Sequence, residues 1–427
     1  MISAPLPGNE QERLAALEQY NILDTPEDEA FDELVKLASQ ICGTSISLVS
    51  LLDEDRQWFK ARVGLEATET PRGLAFCAHA IHGNDIMEVP DALQDERFHD
   101  NPLVTGGPAI RFYAGIPLET PGGHNLGTLC VIDTKPRNLT EEQKFALRTL
   151  GKQVIKQMEL SLKMKEALVV NAQLQKQKKR VMDSIRYGER IQKAMLPAQE
   201  DIQQYIPESF VFWVPRDVLS GDFYYFTEQN DQVFLAAVDC TGHGIPGAFM
   251  SALGHEFLNE IIIHNHNHEP ASILNQLHNR VMKALRQEES NNQDGMEISL
   301  CRIDRQKREI VFAGARRPLI IVDEKGVQTV KGDKQAIGGT HKVGVDRDFT
   351  EHVIPLAEGT SYYLFSDGLQ DQLGAEGKYG RKRLESLLAD MHTKDPQDQI
   401  NLLSENFKNW KGAEKQVDDI LLIGFRG

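Results

Sequence analysis

The chain has 427 residues, 41% of them hydrophobic and 26% charged, with a formal net charge of −16. That length exceeds one ordinary core, so two or three domains are expected, and the acidic balance argues against nucleic acid or an anionic membrane as a general partner. Cys42, Cys77, Cys130, Cys240 and Cys301 are scattered, with no CxxC pair, which argues against a disulfide framework or a zinc site and fits a reducing cytoplasm; the apolar runs are too short to span a membrane, and the first residues show no secretory signal.

The first region runs to about residue 160 and mixes helices and strands. Asp24-Thr25-Pro26 offers a cap for a helix over 27–42, with Phe31, Leu34, Val35, Leu37 and Ala38 as its apolar stripe. Strands are expected over 45–52, 57–63, 112–118 and 125–132, with a turn at 120–124 between the last two. Thr140 opens T-E-E-Q, a capping-box start for the next helix. Trp58, Phe59, Phe76, Phe98, Phe112 and Tyr113 line either a ligand cavity or a plain core, and core is the default reading. Cys77 and His79 read as a buried thiol with a satisfied imidazole rather than a pigment or haem pocket.

From Thr140 to Leu196 the chain is rich in Lys, Gln, Leu and Glu and contains no proline before Pro197. Leu147, Leu150, Val154 and Met158 form an apolar seam, which Val181, Ile185, Ile191 and Met195 resume beyond a polar, basic stretch. This predicts a long helical connector of imperfect coiled-coil character, with a homodimer formed through it.

From 197 onward strands and helices mix again. Strands are predicted over 233–238, 298–303, 310–312, 319–322, 362–365 and 420–425, and helices over 247–264, 271–286, 381–391 and 395–410. Many short strands with a few long helices give an α+β class rather than a regular βα repeat. His264, His266 and His268 read as a polar loop ending at Pro270, not as a metal cluster.

Four acidic features fall at or near strand ends in this region: Ser220-Gly221-Asp222, then 239–244 (DCTGHG), then Ser366-Asp367-Gly368, and finally Asp418-Asp419. Strand ends share the rim of a sheet, so aspartates distant in sequence can converge there, and adjacent glycines admit backbone carbonyls and water. Several carboxylates together suit hard divalent cations. Two such ions about 3.5–4 Å apart hold and activate a water for attack on phosphorus. Each motif alone is an ordinary turn; their combination in this order is specific.

Residues 220–226 (SGDFYYF), 238–254 (VDCTGHGIPGAFMSALG), 313–320 (AGARRPLI), 364–374 (LFSDGLQDQLG) and 417–425 (VDDILLIGF) resemble the SpoIIE/RsbU branch of the PP2C-like (PPM) serine/threonine phosphatases, and 189–197 (ERIQKAMLP) resembles its lead-in helix. The resemblance implies an α/β sandwich of two antiparallel sheets flanked by helices, over 197–427, behind a helical connector over 161–196. It implies two Mn²⁺ or Mg²⁺ ions, with Asp239 bridging both, the Cys240 carbonyl on one, and Asp222, Asp367 and one of Asp418 and Asp419, preferably Asp418, as further ligands. It makes His243 a candidate to protonate the leaving alkoxide. Arg216 is the candidate phosphate-binding residue, against a plain surface role. Tyr225 stands where the branch usually has an acid, which puts a metal role there in doubt. The implied substrate is a phosphorylated protein, first of all one of anti-anti-sigma type.

Residues 48–65, 76–81, 96–104, 112–118 and 125–133 resemble a GAF domain, spanning 1–160 with an antiparallel sheet and helices; the resemblance names no ligand. Sensor, connector and catalyst in series imply a regulated phosphatase. The competing readings are a non-catalytic sensor or scaffold that binds a signalling partner, and a nucleotide cyclase, which the phosphatase-type motifs disfavour.

Overall fold

The structure, a computed structural model, describes residues 1–339 and 348–427 and divides into two units, Met1–Lys176 and Gln177–Gly427. In the first unit six strands form: β1 (Ile46–Leu52), β2 (Arg56–Val63), β3 (Glu69–Pro71), β4 (Met87–Val89), β5 (Phe112–Glu119) and β6 (Asn125–Asp133). They pair antiparallel in the order β3-β2-β1-β6-β5-β4. One face packs on the helix Glu29–Cys42 and on the start of the helix Glu141–Met195, burying Phe31, Val35, Ala38, Leu147, Val154 and Met158 against Val49 and Leu51. Thr140 and Gln143 close the expected capping box, each side chain accepting from the other's backbone N–H at 3.2 and 3.0 Å.

Two local expectations shift. The cap of the first sheet-packed helix is Asp28, whose carboxylate accepts from the Ala30 N–H at 3.1 Å, so the helix begins at Glu29 and not at 27. Leu37 of the expected stripe is 44% exposed, because Phe31, Val35, Ala38 and Cys42 already complete a face at helical spacing and Leu37 falls outside it. A helix at Glu10–Tyr20, without a marked apolar stripe, was not expected.

The other face of this sheet encloses a cavity of about 250 Å³ lined by Phe59, Phe76, Cys77 and Tyr113, together with Gln57 and Thr70. Trp58 and Phe112 instead pack beneath the helices. Cys77 accepts hydrogen bonds from the Thr128 hydroxyl at 3.0 Å and the Tyr113 hydroxyl at 3.3 Å, and a ring nitrogen of His79 meets the Ile2 carbonyl at 3.0 Å. Both are satisfied as the sequence predicts.

The connector is one continuous helix of 55 residues, Glu141–Met195, joining the two sheet-bearing parts of the chain. The boundary between the units falls within it, at 176/177.

The second unit has thirteen strands: β7 (Ser209–Val214), β8 (Phe223–Gln229), β9 (Gln232–Cys240), β10 (Gly295–Asp304), β11 (Glu309–Ala315), β12 (Leu319–Asp323), β13 (Gly326–Val330), β14 (Ile337–Gly338), β15 (His352–Pro355), β16 (Ser361–Phe365), a small hairpin of β17 (Leu373–Gly374) and β18 (Gly377–Lys378), and β19 (Ile420–Arg426), counted among the described residues. Two antiparallel sheets result, ordered β15-β11-β10-β9-β8, with β14 beside β10, and β13-β12-β16-β19-β7. Strand alternation assigns the faces. Val233, Leu235 and Ala237 pack with Cys301, Phe312, Tyr362, Leu364, Leu421 and Ile423 between the sheets. Phe234, Ala236 and Val238 turn outward against the helices Gly244–Asn259 and Pro270–Ala284. The outer face of the second sheet is covered by Arg381–Met391 and Pro396–Lys411 through Leu384, Leu388, Leu403 and Phe407. The expected sandwich of two antiparallel sheets flanked by helices is thus present.

Candidate active site

Alternation along β9 carries Asp239 onto the inner face just where the apolar run ends. Its cross-strand partner on β10 is Glu297. β16 ends at Phe365, and the next two residues, Ser366 and Asp367, continue to the same rim. The Ser366 N–H donates to the Leu421 carbonyl, and the Leu421 N–H to the Ser366 hydroxyl, which fixes the SDG turn beside the Asp418-Asp419 pair at the start of β19. A Cβ at Gly368 would stand 1.8 Å from the Asp419 carbonyl oxygen, so only glycine lets these segments meet.

The result is a cleft of about 530 Å³ lined by Asp239, His243, Glu297, Arg317, Asp367 and Asp418, with Cys240 and Gly295 also on its wall. Asp222 lies beneath it, 3% exposed, its Oδ2 buried without a hydrogen-bond partner. Burial, then the charge of Asp239, pushes the Asp222 carboxyl well above the usual carboxylate range. Burial likewise raises Asp239 to about 7, against the pull of the Arg317 guanidinium, and raises Asp418. Burial leads in each case, and neighbouring carboxylates add to it.

Asp418 and Asp419 differ in surroundings. Asp418 faces the cleft. Asp419 is 2% exposed and spends both oxygens on backbone, accepting from the Arg216 N–H through Oδ1 and the Gly221 N–H through Oδ2, each at 2.7 Å. The Arg216 side chain is exposed and outside the cleft lining, and Tyr225 is turned into the core against the flanking helices. His243 Nδ1 lies 2.7 Å from Asp217 Oδ2; a carboxylate oxygen accepts, so Nδ1 carries the proton.

The SGD loop is fastened from the lead-in helix. Gln192, 7% exposed, donates to the Ser220 carbonyl at 2.7 Å and to the Ser251 hydroxyl at 2.9 Å, and accepts from the Ser220 N–H at 3.1 Å. One side chain therefore holds the SGD loop and the helix after the GHG loop together.

Sequence reasoning missed Arg317. It is 8% exposed, and its Nη2 lies 2.6 Å from Asp239 Oδ2 and 2.6 Å from Asp367 Oδ2. Its only signal was the paired arginine in 313–320, where nothing said which side chain turns inward. Gln192, Glu297 and Asp217 were also missed.

The donors suit hard divalent cations: the side-chain donors are carboxylate oxygens, and the orphaned Asp222 Oδ2 has an unmet need for a positive partner. Among the described residues no three acidic, histidine or cysteine side chains stand at metal-binding spacing, and Arg317 lies between two of the acids.

Comparison with known proteins bears on this geometry. The family model "Stage II sporulation protein E (SpoIIE)" matches residues 229–426 and the GAF domain model residues 26–158. The SiaA PP2C domain of Pseudomonas aeruginosa is 33% identical, with a TM-score of 0.54, covering 58% of this chain and 98% of that one. Phosphoserine phosphatase RsbU of Bacillus subtilis is 25% identical over 216 residues, 49% of this chain and 60% of RsbU. A cyclic di-GMP phosphodiesterase of Pseudomonas aeruginosa is 48% identical over 147 residues, 34% of this chain and 25% of that protein. The chain thus spans three-fifths of the length of RsbU and a quarter of that of the phosphodiesterase.

Proposed function

The chain belongs to the SpoIIE family of PP2C-type protein serine/threonine phosphatases and carries a GAF domain ahead of its phosphatase domain, and from that premise we propose that it hydrolyses phosphoserine or phosphothreonine on a signalling protein, under control of the GAF domain. The observation that carries the reading is the meeting of Asp222, Asp239, Asp367 and Asp418, from four separate motifs, at one end of the sandwich, with a buried carboxylate oxygen that has no hydrogen-bond partner at its base.

In this reading the four aspartates, with the Cys240 carbonyl, hold Mn²⁺ or Mg²⁺. Such ions supply activation of a water and neutralisation of phosphoryl charge. The chain's own groups do the rest. Asp217 fixes the His243 ring through Nδ1 and frees Nε2. A protonated His243 gives its proton to the departing serine or threonine oxygen as the P–O bond breaks. A partner of anti-anti-sigma type, which the family resemblance implies, is the first substrate to try.

Leu160, Met164, Leu174, Val181 and Ile191 are exposed along the connector helix, which supports a homodimer formed through it. No helix among the described residues is long and apolar enough to cross a membrane. Five free cysteines suit the reducing cytoplasm as the place of action.

The test is release of phosphate from a phosphoserine peptide by the full chain with Mn²⁺, with Mg²⁺ and with a chelator. Turnover that needs the metal is expected. Absence of turnover with metal demonstrably bound would favour the scaffold reading. For the regulatory limb, Gln192→Ala is expected to raise the Mn²⁺ concentration for half-maximal activity by about tenfold while the protein stays folded, because the SGD loop loses its anchor. An unchanged metal dependence would reduce the lead-in helix to a tether.

A further inference from the structure

Three carboxylates, those of Asp239, Glu297 and Asp367, close on one buried guanidinium, and Asp418 lines the same cleft. The Arg316-Arg317 pair sits between β11 and β12. Arg316 takes a left-handed backbone, φ 60°, and its side chain is 52% exposed, reaching Glu297 Oε1 at 3.2 Å from the rim. That reversal sends Arg317 inward.

The same nitrogen, Nη2, serves both Asp239 Oδ2 and Asp367 Oδ2, so its two hydrogens are fully used. The rest of the fork is poorly served. Nε lies 2.8 Å from Glu297 Oε2 as an ion pair, yet it makes no aligned hydrogen bond and is buried. Arg317 is therefore attracted strongly by charge and weakly fixed by geometry. It also fills the space between the two carboxylate oxygens that an ion bridging Asp239 and Asp367 would need.

We propose that Arg317 is the site's resident cation: it competes with the divalent metal for Asp239 and Asp367, and once exchanged it clasps the phosphoryl group of the substrate. The proposal rests on the phosphatase reading above and deepens it. Guanidinium and divalent cation cannot occupy the same carboxylate oxygens together, so loading requires the exchange. Arg317 held there keeps buried acids from facing one another unscreened before loading. After the exchange its planar fork stays in the cleft on a short tether from the β11–β12 turn. Phosphate, with its several oxygens, is the ligand that matches such a fork. Arg216, the arginine singled out from sequence, has no comparable access to the cleft.

The experiment is calorimetric titration of the full chain with Mn²⁺, then of the Mn²⁺-loaded chain with inorganic phosphate, for the parent, Arg317→Gln and Arg317→Lys. Removing the competitor should tighten Mn²⁺ binding by about tenfold or more and weaken phosphate binding by about tenfold. Arg317→Lys keeps the charge and loses the fork, so phosphate binding should fall by at least about threefold even if Arg317→Gln does not fold. Mn²⁺ binding no tighter in a folded Arg317→Gln, or phosphate binding unchanged in Arg317→Lys, overturns the proposal. Asp239→Asn separates this outcome from failure of the underlying reading. If it abolishes Mn²⁺ binding while Arg317→Gln leaves it unchanged, the metal site stands and Arg317's part in it falls. If the parent binds no Mn²⁺, both fall.

Discussion

Asp239→Asn is expected to lower metal-dependent hydrolysis of a phosphoserine peptide by about a thousandfold or more, with the metal-free protein melting close to the parent. Asp239 stands at the centre of the cleft chemistry. It ends the inner-face run of β9, it lines the cleft, and its Oδ2 is one of the two oxygens held by Arg317. Asparagine matches it in size and keeps one carbonyl oxygen for Arg317, so packing of the rim should survive. Burial pushes the Asp239 carboxyl up to about 7, which means that the surroundings disfavour its charge even with Arg317 beside it. Removing that charge relieves the metal-free fold and offsets the weakened ion pair. Chemistry has no such compensation, because a neutral amide is a poor ligand for a hard divalent cation. Thermal melting beside phosphate release checks both limbs. Full turnover with an intact melt would remove Asp239 from the chemistry.

Much of this site was legible because strands announce their own ends. The runs at 233–238, 362–365 and 420–425 are continuous in apolar residues because both faces are covered, one by the opposite sheet and one by helices. An aspartate directly after or before such a run has to lie at the sheet rim. What stayed hidden depends on side-chain direction and on partners far apart in sequence. Both arginines line the cleft, but which of them reaches Asp239 and Asp367 is decided by one left-handed residue, which a paired arginine does not reveal. His243 finds Asp217 across 26 residues, and Gln192 reaches Ser220 and Ser251 across 28 and 59. Gln192 looks like any polar residue of a solvated helix. The cap at Asp28 was displaced by two residues because Asp24-Thr25-Pro26 and Asp28 are both good starts, and only the packing of Phe31 chooses between them.

The adjacent acids at 418 and 419 allow the sharpest separation of structure from chemistry. Asp419→Ala should destabilise the phosphatase domain by about 3 kcal/mol, because it strands the Arg216 and Gly221 N–H groups that its two oxygens satisfy. For a domain of this size that is a fall in melting temperature of roughly 6–12 °C. Asp418→Ala should do the reverse. Its carboxyl faces the cleft, is raised by burial and accepts from the Asp419 N–H at 2.9 Å, so its removal costs the metal-free fold only about 1 kcal/mol, and the melting temperature should fall by no more than about 4 °C. Metal-dependent turnover should nonetheless fall by about a hundredfold or more, with the loss partly recovered at high Mn²⁺. The two single variants, melted without metal and assayed across a Mn²⁺ series, decide the assignment. A low melting temperature in Asp418→Ala together with a normal one in Asp419→Ala would exchange the roles, and Asp419 would become the ligand. The distinction matters for Gly221 too. Asp419 Oδ2 holds the glycine of the SGD loop, and Gly221 in turn fits under the Gly242 carbonyl, where a Cβ would stand 2.4 Å away. Asp419 thus sets the position of Asp222 through the backbone, and a variant there perturbs the cleft without touching what the cleft holds.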